Sequence, residues 1–156
     1  MSILITGGAG YIGSPAVRCL QERNEELVVL DNLQTGHRAS VKDVCFVQGD
    51  IRDPGALDRA FDSARIEAVM HFAASSLVAE SMQKPWEYYH NNVYGTLCLL
   101  DAMRRHGVGR IVFSSSAAVY GEPQQVPVPE NAETEPANTY GDTKGAMERM
   151  MRRRLT

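Results

Sequence analysis

The sequence predicts an α/β fold with a doubly wound parallel sheet, and three observations support this fold class. Short β-branched runs alternate with longer runs that have the apolar spacing of helices. Most of the β-branched runs are apolar throughout, which is typical of parallel strands buried on both faces. A glycine-rich turn joins the first strand to the first helix. Right-handed crossovers then favour a Rossmann-type sheet with the strand order 3-2-1-4-5.

The predicted elements alternate along the chain from its first residues. The first half contains a strand at 2–6, a helix at 11–23, strands at 26–31 and 44–50, and a short helix at 54–63. The second half contains a strand at 67–73, a long helix at 85–106 and a strand at 110–116, then a proline-rich loop at 122–138 and a last helix. Asn138 or Thr139 is expected to cap that helix.

Composition and charge narrow the class of function. The net charge of -3 suggests neither a nucleic-acid nor an anionic-membrane partner, and the one basic cluster, Arg152 to Arg154, is expected to be a solvated helix end. No apolar run approaches the length of a membrane span, and the first residues lack the pattern of a signal peptide. Cys19, Cys45 and Cys98 form neither a CxxC pair nor a metal-ligand pattern. We therefore expect a cytoplasmic protein without a metal site.

The glycine-rich turn follows the first predicted strand and opens the first predicted helix. In "GGAGYIG", Gly7, Gly10 and Gly13 have the spacing G-x-x-G-x-x-G. Such glycines let the backbone approach a pyrophosphate, which the free N–H groups and the positive dipole of a helix N-terminus attract. The pattern alone would also fit an ordinary tight turn. Its place between a strand and a helix favours a dinucleotide site.

An acidic residue at the end of the second strand indicates which dinucleotide is bound. Asp31 lies 18 residues after Gly13, and its carboxylate can accept hydrogen bonds from both ribose hydroxyls of NAD. It would repel the 2′-phosphate of NADP, so NAD is the predicted cofactor. Alternatively, Asp31 serves only the turn before Asn32. Asp50 follows the third strand and is predicted either to meet the adenine edge or to cap the next helix.

Seven segments together resemble the extended short-chain dehydrogenase/reductase family. They are "ITGGAGYIGS", "LDNLQTGH", "GDIRD", "HFAASSLVAES", "KPWEYYHNNVYGTL", "FSSSAAVYGEP" and "YGDTK", and the similarity runs from Ser2 to about Arg149. Members of that family are considerably longer than this chain. The resemblance therefore implies that residues 1–156 are the N-terminal part of the NAD-binding domain, without the C-terminal strands and the substrate domain.

The resemblance implies an NAD-dependent 4-epimerase of UDP-sugars, which interconverts UDP-galactose and UDP-glucose through a 4-keto sugar. Tyr140 matches the base for the sugar 4-hydroxyl, and Lys144 matches the lysine that favours its phenolate and holds the nicotinamide ribose. A nearby cation lowers the pKa of a tyrosine from its usual value of about 10. Ser116 matches the serine that bridges the substrate oxygen and the tyrosine. On spacing alone, Tyr140 and Lys144 are two residues on one helix face.

Further site residues follow from the same resemblance. Asn91 and Ser114 are expected near the cofactor, although Asn91 is alternatively a solvated helix residue. Ser76 is expected on the substrate side. Their positions at strand ends, and not the resemblance, predict that Ser115, unlike Ser116, caps backbone and that His71 is a packed core residue. The remaining expected cofactor residues are Tyr11, Ile12, Asn32, Ile51, Phe72, Ala73 and Ala74.

Two departures from related sequences affect these expectations. Pro15 stands where the family tends to have His; proline is tolerated in the first turn of a helix, but deeper it would distort the phosphate-binding end. Ala117 and Ala118 stand where related 4,6-dehydratases carry an acid pair. Because alanine cannot assist the elimination of water, these residues favour epimerisation.

Two other functions remain open: another NDP-sugar epimerase or decarboxylase of the same family, or an NAD-binding chain without catalysis. The resemblance also implies a homodimer through the helix after the fourth strand and the helix that carries Tyr140. The apolar residues that are expected to supply this surface, or alternatively the core, are Val93, Leu97, Leu100, Met147, Met150 and Met151.

Overall fold

A computed structural model describes residues 1–154, with side chains described through Arg152. Five parallel strands form one sheet in the order β3-β2-β1-β4-β5, which confirms the predicted topology. The strands are β1 (Ser2–Thr6), β2 (Glu26–Asp31), β3 (Cys45–Gln48), β4 (Ala68–His71) and β5 (Arg110–Phe113).

Helices follow the strands as expected for α/β crossovers. The α-helices are α1 (Gly13–Gln21), α2 (Pro54–Asp62), α3 (Val78–Gln83), α4 (Pro85–Tyr88), α5 (Gly95–Arg105) and α6 (Thr139–Arg154). Shorter turns of other helix types are a 3-10 helix at Arg38–Ser40, a π-helix at Tyr89–Tyr94 and a second 3-10 helix at Ala117–Tyr120.

The core is centred on β1 and β2. Every residue of β1 is buried, because β1 pairs with β2 on one side and with β4 on the other. Leu4, Ile5 and Val29 are completely inaccessible to solvent. The strand at the end of the sheet differs, since Val112 of β5 is 60% exposed. The expectation that most strands are covered on both faces thus holds for β1 and, apart from Glu26, for β2, whereas the outer strands β3 and β5 are at most partly buried.

The region after β4 departs most from the sequence prediction. The single helix predicted at 85–106 is divided into α4, the π-helix and α5, and α3 was not predicted. Pro85 explains the break between α3 and α4, because the residue before a proline is disfavoured in the helical conformation. Accordingly, Lys84 has φ -129° and ψ 54°.

The chain divides into two compact units. The sheet unit comprises Met1–Ala74 and Leu97–Ser114 and contains all five strands. The helical unit comprises Ser75–Thr96 and the chain from Ser115 onward, and it includes α3, α4, the π-helix and α6. The predicted cofactor turn lies in the sheet unit, whereas the predicted Ser–Tyr–Lys group lies in the helical unit.

Candidate active site

The glycine turn brings backbone directly against backbone. Gly7 has φ +71°, and a Cβ atom there would lie 2.5 Å from the amide nitrogen of Ala73. At Gly13 a Cβ atom would lie 2.2 Å from the carbonyl oxygen of Gly7. A Cβ atom at Gly10 would be 3.3 Å from that oxygen, which is tight but less severe. Gly7 and Gly13 are therefore required by the shape of the turn itself, as a phosphate cradle demands.

The N-terminus of α1 fits a pyrophosphate. The helix begins at Gly13, so Pro15 is its third residue and lies in the first turn. Backbone N–H groups in that turn have no carbonyl partner within the helix, so a proline there breaks no helical hydrogen bond. The distortion considered for a deeper proline does not occur. Tyr11 and Ile12, just before the helix, are 93% and 57% exposed.

Asp31 stabilises the turn at the end of β2. Its carboxylate is buried, and Oδ2 accepts a hydrogen bond from Ala9 N at 2.9 Å while Oδ1 accepts one from Leu33 N at 2.8 Å. The turn interpretation of Asp31 is thus correct, but it does not exclude ribose binding. Each carboxylate oxygen has two lone pairs, so both oxygens retain acceptor capacity.

Asp50 is held by its neighbours and does not cap α2. Its carboxylate forms a salt bridge with Arg52 at 2.6 Å and accepts a hydrogen bond from Asn32 Nδ2 at 3.2 Å. Hydrogen bonding from Arg52 is the main reason that the pKa of Asp50 falls to about 2. The residue that caps α2 is Asp53, whose Oδ1 accepts from Gly55 N at 2.9 Å. The capping alternative for Asp50 was therefore wrong.

The segment after β4 approaches the glycine turn within the sheet unit. Phe72 N donates to Thr6 O at 2.9 Å, which continues the pairing of β4 with β1. His71 is fully buried, and its Nδ1 lies 2.7 Å from Thr6 Oγ1, as expected for a packed core histidine. Ser114 N donates to His71 O at 3.1 Å. Ala73 and Ala74 follow Phe72 and are both partly buried.

Ile51 and Ser76 differ sharply in exposure. The side chain of Ile51 is only 6% exposed, so a ligand can reach its backbone more readily than its side chain. Ser76 lies on the loop between β4 and α3 and is exposed.

Tyr140 and Lys144 lie one turn apart on α6. Asn138 Oδ1 accepts from Gly141 N at 2.8 Å, so Asn138 is the capping residue and α6 begins at Thr139. Lys144 Nζ lies 5.9 Å from the centre of the Tyr140 ring. Lys144 is only 3% exposed, and this burial lowers its pKa to about 8. At neutral pH the ammonium is still mostly protonated and faces the phenol ring.

Ser116, and not Ser115, caps backbone after β5. Ser116 Oγ accepts from Ala118 N at 3.2 Å and caps the second 3-10 helix. The Ser115 hydroxyl instead donates to the Glu148 carboxylate on α6. The expectation that Ser115 caps backbone and Ser116 does not was therefore wrong. The Ser116 hydroxyl accepts in its cap and still has its own proton to donate.

A buried asparagine that the sequence analysis missed joins the segment after β4 to α6. Asn92 is fully buried; its Oδ1 accepts from Ser75 N at 2.8 Å, and its Nδ2 donates to Ser75 O and to Thr143 Oγ1, both at 3.0 Å. Asn91 Nδ2 donates to Ser75 Oγ at 3.1 Å, so Asn91 is not a freely solvated helix residue. The π-helix that carries both amides is a feature frequent at functional sites.

Tyr88 provides a contrast to Tyr140 in the same unit. Its hydroxyl lies 2.8 Å from Leu77 O and 2.9 Å from Glu80 Oε2, and the side chain is buried. Burial first, and then hydrogen bonding to Glu80, raise the pKa of Tyr88 to about 12. Tyr88 is therefore unsuited to act as a base at neutral pH.

These features define a dinucleotide-binding sheet with a Tyr–Lys pair on a separate helical unit, and comparison with known proteins identifies the family. The chain belongs to the NAD dependent epimerase/dehydratase family, whose model matches residues 3–154.

The chain is similar to several UDP-glucose 4-epimerases. It is 56% identical to that of Halalkalibacterium halodurans over 150 residues, which are 96% of this chain and 45% of the relative. The crystal structure of the Brucella ovis enzyme in complex with NAD matches with a TM-score of 0.93 and 44% identity, covering 96% of this chain and 46% of that one. The Bifidobacterium longum enzyme in complex with NAD+ and UDP matches with a TM-score of 0.94 and 37% identity, covering 98% and 48%.

The chain thus spans about half the length of the curated relatives it matches. Within residues 1–154, no group of three His, Cys, Asp or Glu side chains is arranged to hold a metal ion. None of the helices in this described part has the length and apolar character that a membrane crossing requires. Cys19, Cys45 and Cys98 are free thiols.

Proposed function

We propose that the protein containing this chain is an NAD-dependent UDP-sugar 4-epimerase that interconverts UDP-galactose and UDP-glucose. The observation that carries the proposal is the Tyr140–Lys144 pair on α6, with Lys144 Nζ 5.9 Å from the phenol ring and the lysine side chain buried. The UDP-glucose 4-epimerases to which the chain is similar support the choice of substrate.

The proposed chemistry assigns a proton to each side chain. Tyr140 as phenolate takes the proton of the sugar 4-hydroxyl. It returns the proton to that oxygen after the 4-keto sugar has turned its opposite face toward the cofactor. The Lys144 ammonium favours this phenolate, and it loses that effect as the pH rises through the lysine pKa of about 8. The Ser116 hydroxyl, which keeps its own proton while it caps the 3-10 helix, donates to the reacting oxygen.

We propose NAD as the resident cofactor, and when bound it supplies the reversible oxidation at C4 of the sugar. The glycine turn and the N-terminus of α1 hold its pyrophosphate, and Asp31 accepts from the adenosine ribose. Asn32, Asp50 and Ile51 contribute at the adenine end. Lys144 and Tyr140 serve the nicotinamide ribose. The remaining residues proposed to contact the cofactor are Tyr11, Ile12, Phe72, Ala73, Ala74, Asn91 and Ser114.

The residues after Ser116 favour epimerisation over dehydration. Ala117 and Ala118 begin the second 3-10 helix, and neither has a group that could assist the loss of water. Ser76, on its exposed loop, is proposed to contact the sugar nucleotide together with Ser116 and Tyr140. We propose further that residues 1–156 are the N-terminal part of the NAD-binding domain, and that the additional strands and the substrate domain of the relatives lie outside this chain.

A homodimer in the cytoplasm is also proposed, although its surface differs from the expected one. Of the residues considered for either the dimer surface or the core, Leu100, Met147 and Met151 are buried core. Trp86, by contrast, is 85% exposed on α4, and Met82 is 58% exposed on α3. Further exposed or partly exposed apolar side chains are Leu77, Val78, Tyr89, Val93, Tyr94, Leu97 and Met150. Free cysteines support the reducing compartment.

The dimer proposal is tested by light scattering with Trp86→Glu. We expect a dimer for the unchanged chain and a monomer for this variant. Val126→Glu is the matched control, because Val126 is 84% exposed but lies on the loop before α6. A monomeric unchanged chain at high concentration would contradict the proposal.

The catalytic proposal is tested by conversion of UDP-galactose in a protein that carries this chain at the length of its relatives. Tyr140→Phe is expected to lower kcat by about 100-fold or more, since general acid–base catalysis contributes about that much, while bound NAD is retained. Tyr94→Phe removes an exposed phenol as the control. Unchanged turnover of Tyr140→Phe would refute the assignment. Turnover of a panel of NDP-sugars distinguishes the proposed epimerase from other NDP-sugar epimerases and decarboxylases. Bound NAD without turnover of any of these sugars would favour the non-catalytic alternative.

A further inference from the structure

Glu148 of α6 makes a contact that the proposed chemistry does not use. Its Oε1 accepts a hydrogen bond from the hydroxyl of Ser115, the residue directly before Ser116. Its Oε2 accepts from Arg152 at 3.3 Å. The Arg152 side chain is 78% exposed, whereas that of Glu148 is 21% exposed. The contact with Ser115 is therefore the more sheltered of the two.

A second contact attaches the same short segment to α6. At Gly141 a Cβ atom would lie 2.4 Å from the carbonyl oxygen of Ala118, so the two backbones meet there without a side chain between them. Ala118 is also the residue whose N–H is bonded to Ser116 Oγ. Residues 115–118 are thus attached to α6 at both ends, and Ser116 lies between the attachments.

The two attachments flank the proposed catalytic side chains along α6. Gly141 follows Tyr140 directly, and Glu148 comes seven residues later. Seven residues are about two turns, or about 10 Å of helix. Lys144 lies between them, and Glu148 is at position i+4 from it, on the same face of the helix.

We infer that Glu148 is a positioning residue: through Ser115 it fixes Ser116 relative to Tyr140 and Lys144. The significance of Glu148 for catalysis rests on the proposed function, because that function gives Ser116 and Tyr140 their roles. Glu148 itself needs no contact with substrate. A hydroxyl that donates to a carboxylate forms one of the stronger hydrogen bonds in proteins, which suits a fixed distance.

An electrostatic action of Glu148 on Lys144 is the competing explanation. A carboxylate at i+4 would raise the pKa of the lysine, whereas burial is what lowers it to about 8. Glu148→Gln separates the two explanations. The amide oxygen of Gln still accepts from Ser115, but the charge is removed.

The experiment measures amide hydrogen exchange of Ala118 and Val119, whose N–H groups are both bonded to Ser116. The samples are Ser115→Ala, Glu148→Ala, the double variant and Glu148→Gln, each in the 156-residue chain. We expect Ser115→Ala and Glu148→Ala each to speed exchange of these amides about three- to ten-fold, the effect of one hydrogen bond. The double variant should exchange these amides no faster than either single variant does. Glu148→Gln should exchange them at about the rate of the unchanged chain.

Two controls show whether the effect is local. Arg152→Ala removes the other partner of Glu148 and should leave the exchange unchanged, as should the amides of Leu4 and Val29 in the sheet. Equal acceleration at all amides, additive single variants, or a Glu148→Gln that behaves like Glu148→Ala would each overturn the inference. The readout needs no turnover, so a failure of the epimerase proposal in the Tyr140→Phe assay remains distinguishable from a failure here.

Discussion

Asn92 donates a hydrogen bond from Nδ2 to Thr143 Oγ1 at 3.0 Å, across 51 residues of sequence. Thr143 Oγ1 in turn donates to the carbonyl oxygen of Tyr140 at 2.7 Å. A chain of two hydrogen bonds therefore connects the π-helix to the first turn of α6. Because Asn92 and Thr143 are both fully buried, water cannot replace either partner.

Asn92→Ala is expected to lower the free energy of unfolding by about 2–3 kcal/mol, since it removes three hydrogen bonds that the buried amide makes to Ser75 and Thr143. Asn91→Ala is the matched control: Asn91 is adjacent but partly exposed, so its loss should cost less. Urea denaturation of both variants measures the difference. Equal costs for the two variants would contradict the role assigned to Asn92.

The glycine turn is expected to tolerate no side chain at Gly13. Gly13→Ala places a Cβ atom 2.2 Å from Gly7 O, so backbone must move, which costs about 2 kcal/mol or more. NAD affinity should fall at least about ten-fold, in line with a displaced cradle. Gly109→Ala is the control, because nothing lies within 4 Å of its Cβ position. Thermal unfolding and calorimetric titration with NAD measure both effects; similar results for the two variants would contradict this account of the turn.

Asp31 is expected to determine the preference for NAD over NADP. Asp31→Asn removes the negative charge that would repel a 2′-phosphate but keeps an oxygen that can accept from Ala9 or Leu33. We therefore expect weaker NAD binding and a smaller ratio between the affinities for NAD and NADP. Titration of both dinucleotides measures the ratio. An unchanged ratio would indicate that Asp31 serves only the turn.

The sheet could be predicted from sequence because its signals are local. The β1 and β2 bounds are the predicted ones, since apolar β-branched runs between turn residues identify buried strands directly. The tolerance of proline in the first turn of a helix is also a local rule. Whether it applied to Pro15 depended on where α1 begins, which is Gly13. The breaks in the helix predicted at 85–106 were less accessible. The π-helix depends on contacts that adjacent residues do not reveal.

The polar contacts of the helical unit could not be predicted, because they join residues far apart in sequence. A polar residue such as Asn92 normally indicates an exposed position, and only its tertiary partners reveal burial. The expectation about which serine caps backbone failed for the same reason, because the Glu148 partner of Ser115 is 33 residues away. Resemblance identified Tyr140 and Lys144 as candidates, whereas the burial of Lys144 emerged from the packing around α6.

Lys144 is expected to make the stability of the folded chain increase between about pH 8 and pH 10.5. Its pKa falls from the ordinary value of 10.5 to about 8 because the ammonium is buried. In that interval the unfolded chain binds more protons than the folded chain, so the free energy of unfolding rises with pH, by about 1.4 kcal/mol per unit of pKa depression. Below pH 8 the full cost of the buried charge is present.

Lys144→Met tests this sign, because it keeps a long apolar side chain without the charge. The variant should be more stable than the unchanged chain at pH 7, and the advantage should shrink as the pH approaches 10.5. NMR of 13C-methylated lysines checks the titration directly, since the chain has only Lys42, Lys84 and Lys144. Hydrogen bonding to Glu80 raises the pKa of Lys84. The signals of Lys84 and Lys144 should therefore report pKa values above and below the ordinary lysine value, respectively. A Lys144 signal that titrates near 10.5 would contradict the expected cost of burying its ammonium.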